Sequence, residues 1–296
     1  MVLTLVAPPN AGAFAVNLRE VFASVGARGK ESRKLDAGEG AATDVILEAD
    51  DLAAVRGALQ APMAGQTLDW CLQPLEGRRK RLLIADMDST IINVECIDEL
   101  ADFAGLKAQI SAITERAMRG ELDFETALRE RVAMLKGLPV SALQQTYDER
   151  VRLNPGARTL VRTMAANGAR CVLVSGGFSF FTSRVAQAAL FQAHRGNTLC
   201  EADGRLTGEV GEPILGREAK LQALKEEAEA RMLPLSATLA IGDGANDLAM
   251  IEAAGLGVAY RAKPIVAGQA DARIEHTDLT TLLYFQGYSA EAFVTG

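Results

Sequence analysis

Three apolar stretches of the sequence each end in residues that could bind or transfer an anionic group. The first runs into Asp86 and Asp88, the second into Ser175-Gly176-Gly177, and the third into residues 242–247, Gly-Asp-Gly-Ala-Asn-Asp. In an open α/β sheet the carboxyl ends of the strands form the ligand-binding edge. If the three stretches are neighbouring strands, their polar residues share one site.

Asp86 and Asp88 lie two positions apart, so in an extended chain both side chains leave the same side. Two carboxylates this close repel each other unless a cation lies between them or one holds a proton. Asp243 would add a third carboxylate from another strand end. Oxygen donors without histidine or thiolate favour a hard cation such as Mg²⁺, which also binds phosphate oxygens. A single aspartate could equally be a solvated loop acid, but three at strand ends predict a magnesium site.

The glycine-rich turn and one lysine could hold the anion itself. Ser175-Gly176-Gly177 offers a hydroxyl and unhindered backbone N–H groups at the start of a predicted helix, which suits an anionic oxygen. A plain turn is the alternative. Lys220 lies within a predicted helix and by itself would be a solvated residue. It becomes functional only if that helix directs it at the acidic site.

Several other kinds of site are excluded. Residues 242–247 approach a dinucleotide-binding fingerprint, but Asp247 stands where the third glycine belongs and would repel a pyrophosphate. A P-loop is absent, since Gly29-Lys30 is followed by Glu31. The two histidines are far apart, which argues against histidine-based triads and metal sites. The four cysteines form no CxxC pair, and we interpret them as reduced thiols.

The amino-acid composition limits the classes of partner that the chain is expected to bind. The chain has 296 residues, a net charge of −7 and 23% charged residues. We therefore expect no nucleic acid partner, because proteins that bind nucleic acids carry basic patches. The uncharged segments are too short or too interrupted to form a membrane span or a signal peptide. We predict no membrane partner and a cytoplasmic location.

The pattern of apolar residues predicts three units. Residues 1–78 form a small α+β unit, residues 79–94 and 151–296 a core in which strands and helices alternate, and residues 95–150 an all-helical insert. Alternation of apolar strands with amphipathic helices predicts a parallel sheet covered on both faces.

Individual elements follow from the same pattern. The strands predicted by hydrophobicity and turn residues are Val2–Val6, Asp44–Glu48, Thr67–Leu72, Leu82–Ala85, Cys171–Val174, Thr238–Ile241 and, as the last, Leu256–Tyr260. The predicted helices include Ala13–Val25, Leu52–Leu59, Arg217–Ala230, Ala245–Ala254, one that starts at Ser179, and one capped by Asn154-Pro155. A hairpin is predicted at Asp203-Gly204. Residues 284–287, Tyr-Phe-Gln-Gly, resemble part of a protease tag site. We interpret them as native sequence, because Leu282-Leu283 precede them and more sequence follows.

From Leu82 to Thr280 the chain resembles the haloacid dehalogenase superfamily, and within it the phosphoserine phosphatase family. The resemblance rests on Asp86-x-Asp88-Ser89-Thr90, Ser175-Gly176-Gly177, Lys220 and residues 242–247, and on Glu95 and Arg131 of the insert. It implies a doubly wound, mostly parallel Rossmann-like sheet with a small inserted helical cap. The first 78 residues are similar to ACT-like domains, which implies either an L-serine effector site or a purely dimerising or structural role, with a homodimer formed through this unit.

The resemblance also implies roles for single residues. Asp86 is expected to be the nucleophile and Asp88 the general acid and base. Ser175, Gly176, Gly177 and Lys220 would hold the phosphoryl oxygens. The Mg²⁺ ligands would be Asp86, Asp243 and the carbonyl of Asp88, with Asp247 and Asn246 supporting its water molecules.

In the cap, Glu95 would take the substrate's ammonium group and Arg131 its carboxylate. Met118 and Phe124 would close the apolar sides, although they could equally belong to the core of the cap. The implied activity is Mg²⁺-dependent hydrolysis of O-phospho-L-serine to L-serine and phosphate, the last step of serine biosynthesis.

Two alternative functions are compatible with parts of this pattern. The first is a phosphotransferase or phosphatase of the same superfamily that acts on another small phosphorylated metabolite. The second is a signalling receiver, which also combines paired acids, a hydroxyl residue and a lysine. It is disfavoured because the Asp86–Asp88 pair opens the fold here and a helical cap interrupts it.

Overall fold

A computed structural model describes residues 1–9, 11, 16–36 and 42–295, with the side chain of Met118 outside the described part. The first part of the chain forms a separate antiparallel sheet with two helices on one face. Its elements are β1 (Val2–Val6), α1 (Leu18–Ala23), β2 (Arg28–Asp36), β3 (Ala42–Glu48), α2 (Leu52–Met63) and β4 (Asp69–Gln73). The strand order is β2-β3-β1-β4, with every neighbouring pair antiparallel. The predicted strands and the second helix are confirmed, with shifted ends.

Two features of this unit differ from the sequence prediction. Strand β2 was not predicted, because nearly all its side chains are polar and exposed on the sheet edge. The described part of the first helix starts at Leu18, later than predicted, and residues 13–15 lie outside the described residues. With β2 included, the unit has the order βαββαβ, which is the ferredoxin-like arrangement.

The rest of the chain forms a six-stranded parallel sheet and a helical insert. In chain order the elements are β5 (Leu82–Ala85), α3 (Cys96–Asp102), α4 (Lys107–Met118), α5 (Phe124–Met134), α6 (Ser141–Arg150), α7 (Ala157–Ala166), β6 (Arg170–Phe178), α8 (Ser179–Ala189), β7 (Ala193–Asn197), β8 (Leu199–Ala202), β9 (Arg205–Val210), α9 (Arg217–Glu229), β10 (Thr238–Gly242), α10 (Leu248–Ala253), β11 (Leu256–Tyr260), α11 (Pro264–Ala267), β12 (Ala272–Ile274) and α12 (Thr281–Phe285). The sheet order is β12-β11-β10-β5-β6-β7, and all five pairings are parallel. The fold is therefore the doubly wound α/β class predicted from the sequence.

The order of the sheet explains how the three sequence clusters meet. Strands β10, β5 and β6 are direct neighbours at its centre and are fully buried over most of their length. Because they are parallel, the segments that follow them emerge at the same edge. Helices α3 to α6 form the insert above this edge, and the β8–β9 hairpin packs against α5.

Two predictions about the core were wrong, and two of its strands were not predicted. Helix α7 begins at Ala157 after Gly156, which has a φ of 81°, so Asn154-Pro155 is not its cap. The Asn154 amide instead donates to the carbonyls of Thr90 and Ile92. Strands β7 and β12 were missed because both are short and carry polar residues, so β11 is not the last strand.

The two sheets pack directly against each other. Asp69 at the start of β4 accepts hydrogen bonds from the backbone N–H groups of Glu275, His276 and Thr277 and from the Thr277 hydroxyl. Residues 284–287 belong to the same junction, since the Gln73 amide donates to the Phe285 carbonyl. These residues are thus an integral part of the fold. Among the described residues, no helix is both long enough and apolar enough to span a membrane.

Candidate active site

Three carboxylates meet at the carboxyl ends of the central strands. Asp86 follows β5 and Asp243 follows β10, and the two strands are paired with Ala85 opposite Ile241. Asp247 lies on the turn after Asp243, where its Oδ2 accepts the backbone N–H groups of Asp243 and Gly244. All three are buried, and each offers a carboxylate oxygen within 4.8 Å of the others.

Lys220 is the cation of this cluster. Its Nζ lies 2.6 Å from Asp86 Oδ1 and 2.6 Å from Asp247 Oδ1, and its side chain is fully buried. Burial alone would lower the pKa of Lys220, but the two carboxylates outweigh burial and raise it. The lysine therefore stays charged. Helix α9 directs the Lys220 side chain into the acidic site, which is the condition under which this lysine was expected to be functional.

Negative charge is in excess here. Burial, followed by the charge of Asp247, raises the pKa of Asp243 to about 7. The same two causes raise the pKa of Asp86 well above its usual range, with Lys220 opposing them. A buried all-oxygen donor set with uncompensated negative charge fits a hard divalent cation. Next to it, Asn246 Oδ1 is buried without a hydrogen-bond partner, which leaves a further oxygen acceptor at the site.

Asp88 faces a different set of groups from Asp86. Its Oδ1 accepts the backbone N–H of Cys96 at 2.9 Å, and its Oδ2 accepts the Ser175 hydroxyl at 3.2 Å. Burial raises the pKa of Asp88, and these hydrogen bonds oppose the increase. The Asp88 carboxylate is therefore held between the core and the first turn of the cap.

The Ser175-Gly176-Gly177 segment is tightly enclosed. The Gly177 N–H donates to Ser175 Oγ at 2.8 Å. A Cβ atom on Gly177 would lie 2.6 Å from Asp88 Oδ2, and one on Gly176 would lie 2.5 Å from the Phe124 ring. Only glycine leaves room for the aspartate on one side and the cap on the other.

The cap contributes a carboxyl group, from Glu95, and a guanidinium group, from Arg131, to the same site. Glu95 Oε1 accepts the Ser89 hydroxyl at 2.5 Å, and burial together with the charge of Asp88 raises the pKa of Glu95 well above its usual range. The Arg131 side chain is buried and donates to the Ala127 carbonyl and the Thr114 hydroxyl, each at 3.0 Å.

A cavity of about 40 Å³ joins the core and cap residues. It is lined by Asp86, Asp88, Glu95, Ile97, Phe124, Leu128, Arg131, Ser175, Gly176, Gly177, Phe178 and Asn246. A second cavity of about 280 Å³ shares Phe124, Arg131 and Asn246 with it. Met118 is the last residue of α4, and its side chain lies outside the described part of the chain.

Several residues of the site had no role assigned from the sequence, although Ser89 and Thr90 belong to the motif that carries the resemblance. Thr90 donates to Asp243 Oδ1 at 3.1 Å, and the Cys96 N–H and the Ser89 hydroxyl hold Asp88 and Glu95. Ser89 and Thr90 directly follow Asp88, so their closeness to the acids was a usable signal. Thr114 is twenty-six residues from Asp88, and only the fold brings it to the site.

Known proteins resemble the chain in sequence and structure. It is 45% identical over 213 residues to phosphoserine phosphatase SerB2 of Mycobacterium tuberculosis, which is 72% of this chain and 52% of that protein. The chain thus spans about half the length of this relative. A solved structure described as a phospho-aspartyl intermediate analogue of phosphoserine phosphatase matches with a TM-score of 0.67 and 37% identity, over 70% of this chain and 99% of that one.

A third match includes the N-terminal sheet. The crystal structure of a HAD family hydrolase from Salmonella enterica serovar Typhi covers 97% of this chain and 99% of its own, with a TM-score of 0.82 and 28% identity. The sequence profile of the haloacid dehalogenase-like hydrolases matches residues 83–252, more than half of the chain and every strand that carries a site acid. The chain therefore belongs to the haloacid dehalogenase-like hydrolase family.

Proposed function

We propose that the chain is a phosphoserine phosphatase that hydrolyses O-phospho-L-serine to L-serine and phosphate, the last step of serine biosynthesis. One observation carries the proposal. One cavity is lined by Asp86, Asp88 and Ser175 of the core and by Glu95 and Arg131 of the cap. The first group suits a phosphoryl group, and the second suits the ammonium and carboxylate groups of an amino acid.

Asp86 is proposed as the nucleophile. An oxygen of its carboxylate attacks phosphorus, a phosphorus–oxygen bond forms on Asp86, and the bond from phosphorus to the serine oxygen breaks. Lys220, 2.6 Å from Asp86 Oδ1, offsets part of the negative charge that gathers there. In the relative whose structure is a phospho-aspartyl intermediate analogue, the same type of intermediate is named.

Asp88 is proposed as the general acid and base. Its burial favours the protonated carboxyl, which gives its proton to the departing serine oxygen. The resulting carboxylate then takes a proton from the water that attacks the aspartyl phosphate. Phosphate leaves, Asp86 is restored as a carboxylate, and Asp88 is protonated again. The hydrogen bonds from Cys96 and Ser175 keep the carboxyl in one orientation for both transfers.

Mg²⁺ is proposed as the cofactor. Asp86, Asp243 and the carbonyl of Asp88 would hold it, and Asp247 and Asn246 would support its water molecules. When bound, the ion supplies positive charge that reduces repulsion between the carboxylates and the phosphoryl group. The close carboxylates and the raised pKa of Asp243 support this assignment.

Recognition of the substrate is assigned to the cap. Glu95 would bind the ammonium group, and Arg131, anchored by Ala127 and Thr114, would bind the carboxylate. Phe124 packs against Gly176 and closes the cavity, which keeps water away during transfer. The role of Met118 stays a prediction from the resemblance.

The unit boundaries are also proposals, with residues 1–78, 79–94 plus 151–296, and 95–150 as the three units. For residues 1–78, the Asp69 hydrogen bonds to the core support a structural role. Binding of L-serine by this unit and a homodimer formed through it stay predictions.

The test is phosphate release from O-phospho-L-serine with Mg²⁺ and with a chelator, comparing the wild type with Asp86→Asn and Arg131→Ala. We expect no turnover without metal or in Asp86→Asn. Arg131→Ala should lose activity on phosphoserine and keep it on an aryl phosphate. A wild type that hydrolyses the aryl phosphate and ignores phosphoserine would contradict the assigned substrate.

A further inference from the structure

Asn197 is a buried amide that the proposed mechanism does not use. It is the last residue of β7 and is 2% exposed. Its Nδ2 donates to the Gly176 carbonyl at 2.7 Å and to the Leu215 carbonyl at 3.1 Å. Its Oδ1 accepts the Leu215 N–H at 2.7 Å. Both N–H groups of the amide and one oxygen lone pair are therefore satisfied.

The first bond compensates for an irregularity in the sheet. Val174 pairs with Arg195, and the next pair along the two strands is Phe178 with Asn197. Strand β6 thus advances four residues while β7 advances two, and the residues between bulge out of the ladder. A buried carbonyl without a partner is costly. The Asn197 amide supplies the partner that the bulged Gly176 carbonyl would otherwise lack.

The other two bonds reach the opposite side of the phosphoryl site. Leu215 immediately precedes Gly216, which caps α9, and the Lys220 N–H donates to the Gly216 carbonyl. Lys220 therefore lies in the first turns of a helix whose start is held by the Asn197 amide. One side chain connects the glycine-rich segment with the start of the lysine helix.

We propose that Asn197 is a positioning residue for phosphoryl transfer. It fixes the separation between the Ser175–Gly177 segment and Lys220, the two groups assigned to the phosphoryl oxygens. This inference rests on the proposed function and deepens it. Groups that stabilise a transition state lose much of their effect when displaced by about 1 Å, so the amide should matter for catalysis without touching substrate.

The test is Asn197→Asp, which keeps one acceptor for the Leu215 N–H but turns a carboxylate oxygen toward two carbonyls. Asn167→Asp is the matched control, because the Asn167 amide side chain donates to the Thr163 carbonyl at the exposed end of α7, away from the site. Both are assayed with O-phospho-L-serine and with p-nitrophenyl phosphate, and inorganic phosphate is titrated as an inhibitor. We expect kcat/KM to fall about 10- to 100-fold on both substrates. The inhibition constant for phosphate should rise, while the control stays at wild-type values.

An unchanged phosphate inhibition constant in folded Asn197→Asp would overturn the inference, as would a lower Tm with unchanged kinetics. If this variant does not fold, Asn197→Ser gives the answer, since its hydroxyl can serve only one carbonyl and adds no charge. A weaker affinity for phosphate is expected there, and wild-type affinity would overturn the inference. If the wild type hydrolyses p-nitrophenyl phosphate but not phosphoserine, the substrate assignment fails while this test still decides the role of Asn197.

Discussion

Replacing Lys220 by methionine probes the electrostatics of the whole site. The ammonium group makes two contacts of 2.6 Å, to Asp86 and Asp247, and all three side chains are almost completely buried. Methionine fills much of the same volume but removes the charge. Asp86 and Asp247 then remain buried without their compensating cation, next to Asp243.

The expected loss of stability is large. Breaking a buried ion pair by removing one partner costs about 3–5 kcal/mol, against a typical folding stability of about 5–15 kcal/mol. The metal-free variant should therefore have a much smaller free energy of unfolding than the wild type. If a divalent cation binds the acids, Mg²⁺ at 100 times its dissociation constant would restore about 2.7 kcal/mol.

The assay is urea unfolding of the wild type and Lys220→Met, with Mg²⁺ and with a chelator, together with phosphate release. Lys225→Met is the matched control, because Lys225 lies on the same helix and is exposed. We expect the control to keep both stability and activity. If Lys220→Met has the wild-type free energy of unfolding in chelator, Lys220 does not compensate the buried carboxylates as inferred. If Mg²⁺ does not raise the free energy of unfolding of the variant, the inferred excess of negative charge is also wrong.

Three further results are expected. The pKa of Asp243 is raised to about 7 in the folded protein, so the stabilisation from its protonation is complete below the unfolded pKa of about 4 and is lost as pH rises through about 7. Urea unfolding of the metal-free protein should therefore show stability falling across this range, and a flat profile would contradict the assigned burial. Arg131→Met should raise KM for phosphoserine at least about 10-fold by removing a charge-assisted contact. Arg129→Met, which breaks the exposed ion pair of Arg129 with Glu212, should leave KM unchanged. An equal rise of KM in both variants would contradict the role of Arg131. Asp69→Ala should lower the free energy of unfolding by about 2–4 kcal/mol, because three backbone N–H groups and a hydroxyl lose their acceptor; denaturation showing no loss would contradict the tight junction between the two sheets.

The sequence predicted the central part of the fold because its physical signals are local. The apolar parts of strands β5, β6 and β10 run directly into the polar residues of the site, which in β6 are Ser175–Gly177 at the end of the strand itself. Parallel strands place such residues at one edge, so the sequence alone predicts that Asp86 and Asp243 lie close together.

Other features depend on contacts that no local pattern encodes. Strand β2 shows no apolar alternation because it lies exposed on a sheet edge. Asn154 carries a typical capping side chain, yet it bonds to carbonyls of the segment after β5. Asn197 shows no motif at all, and its importance follows only from the bulge beside it and from Leu215, eighteen residues away.

If Asp86 is the nucleophile, it carries the phosphoryl group during hydrolysis of phosphoserine. The most direct measurement is acid quenching of the enzyme during turnover of O-phospho-L-serine labelled in its phosphate, followed by peptide mapping. We expect acid-stable label on the peptide that contains Asp86, and no label in Asp86→Asn. Rapid phosphate release without label at Asp86, or label that persists in Asp86→Asn, would contradict it.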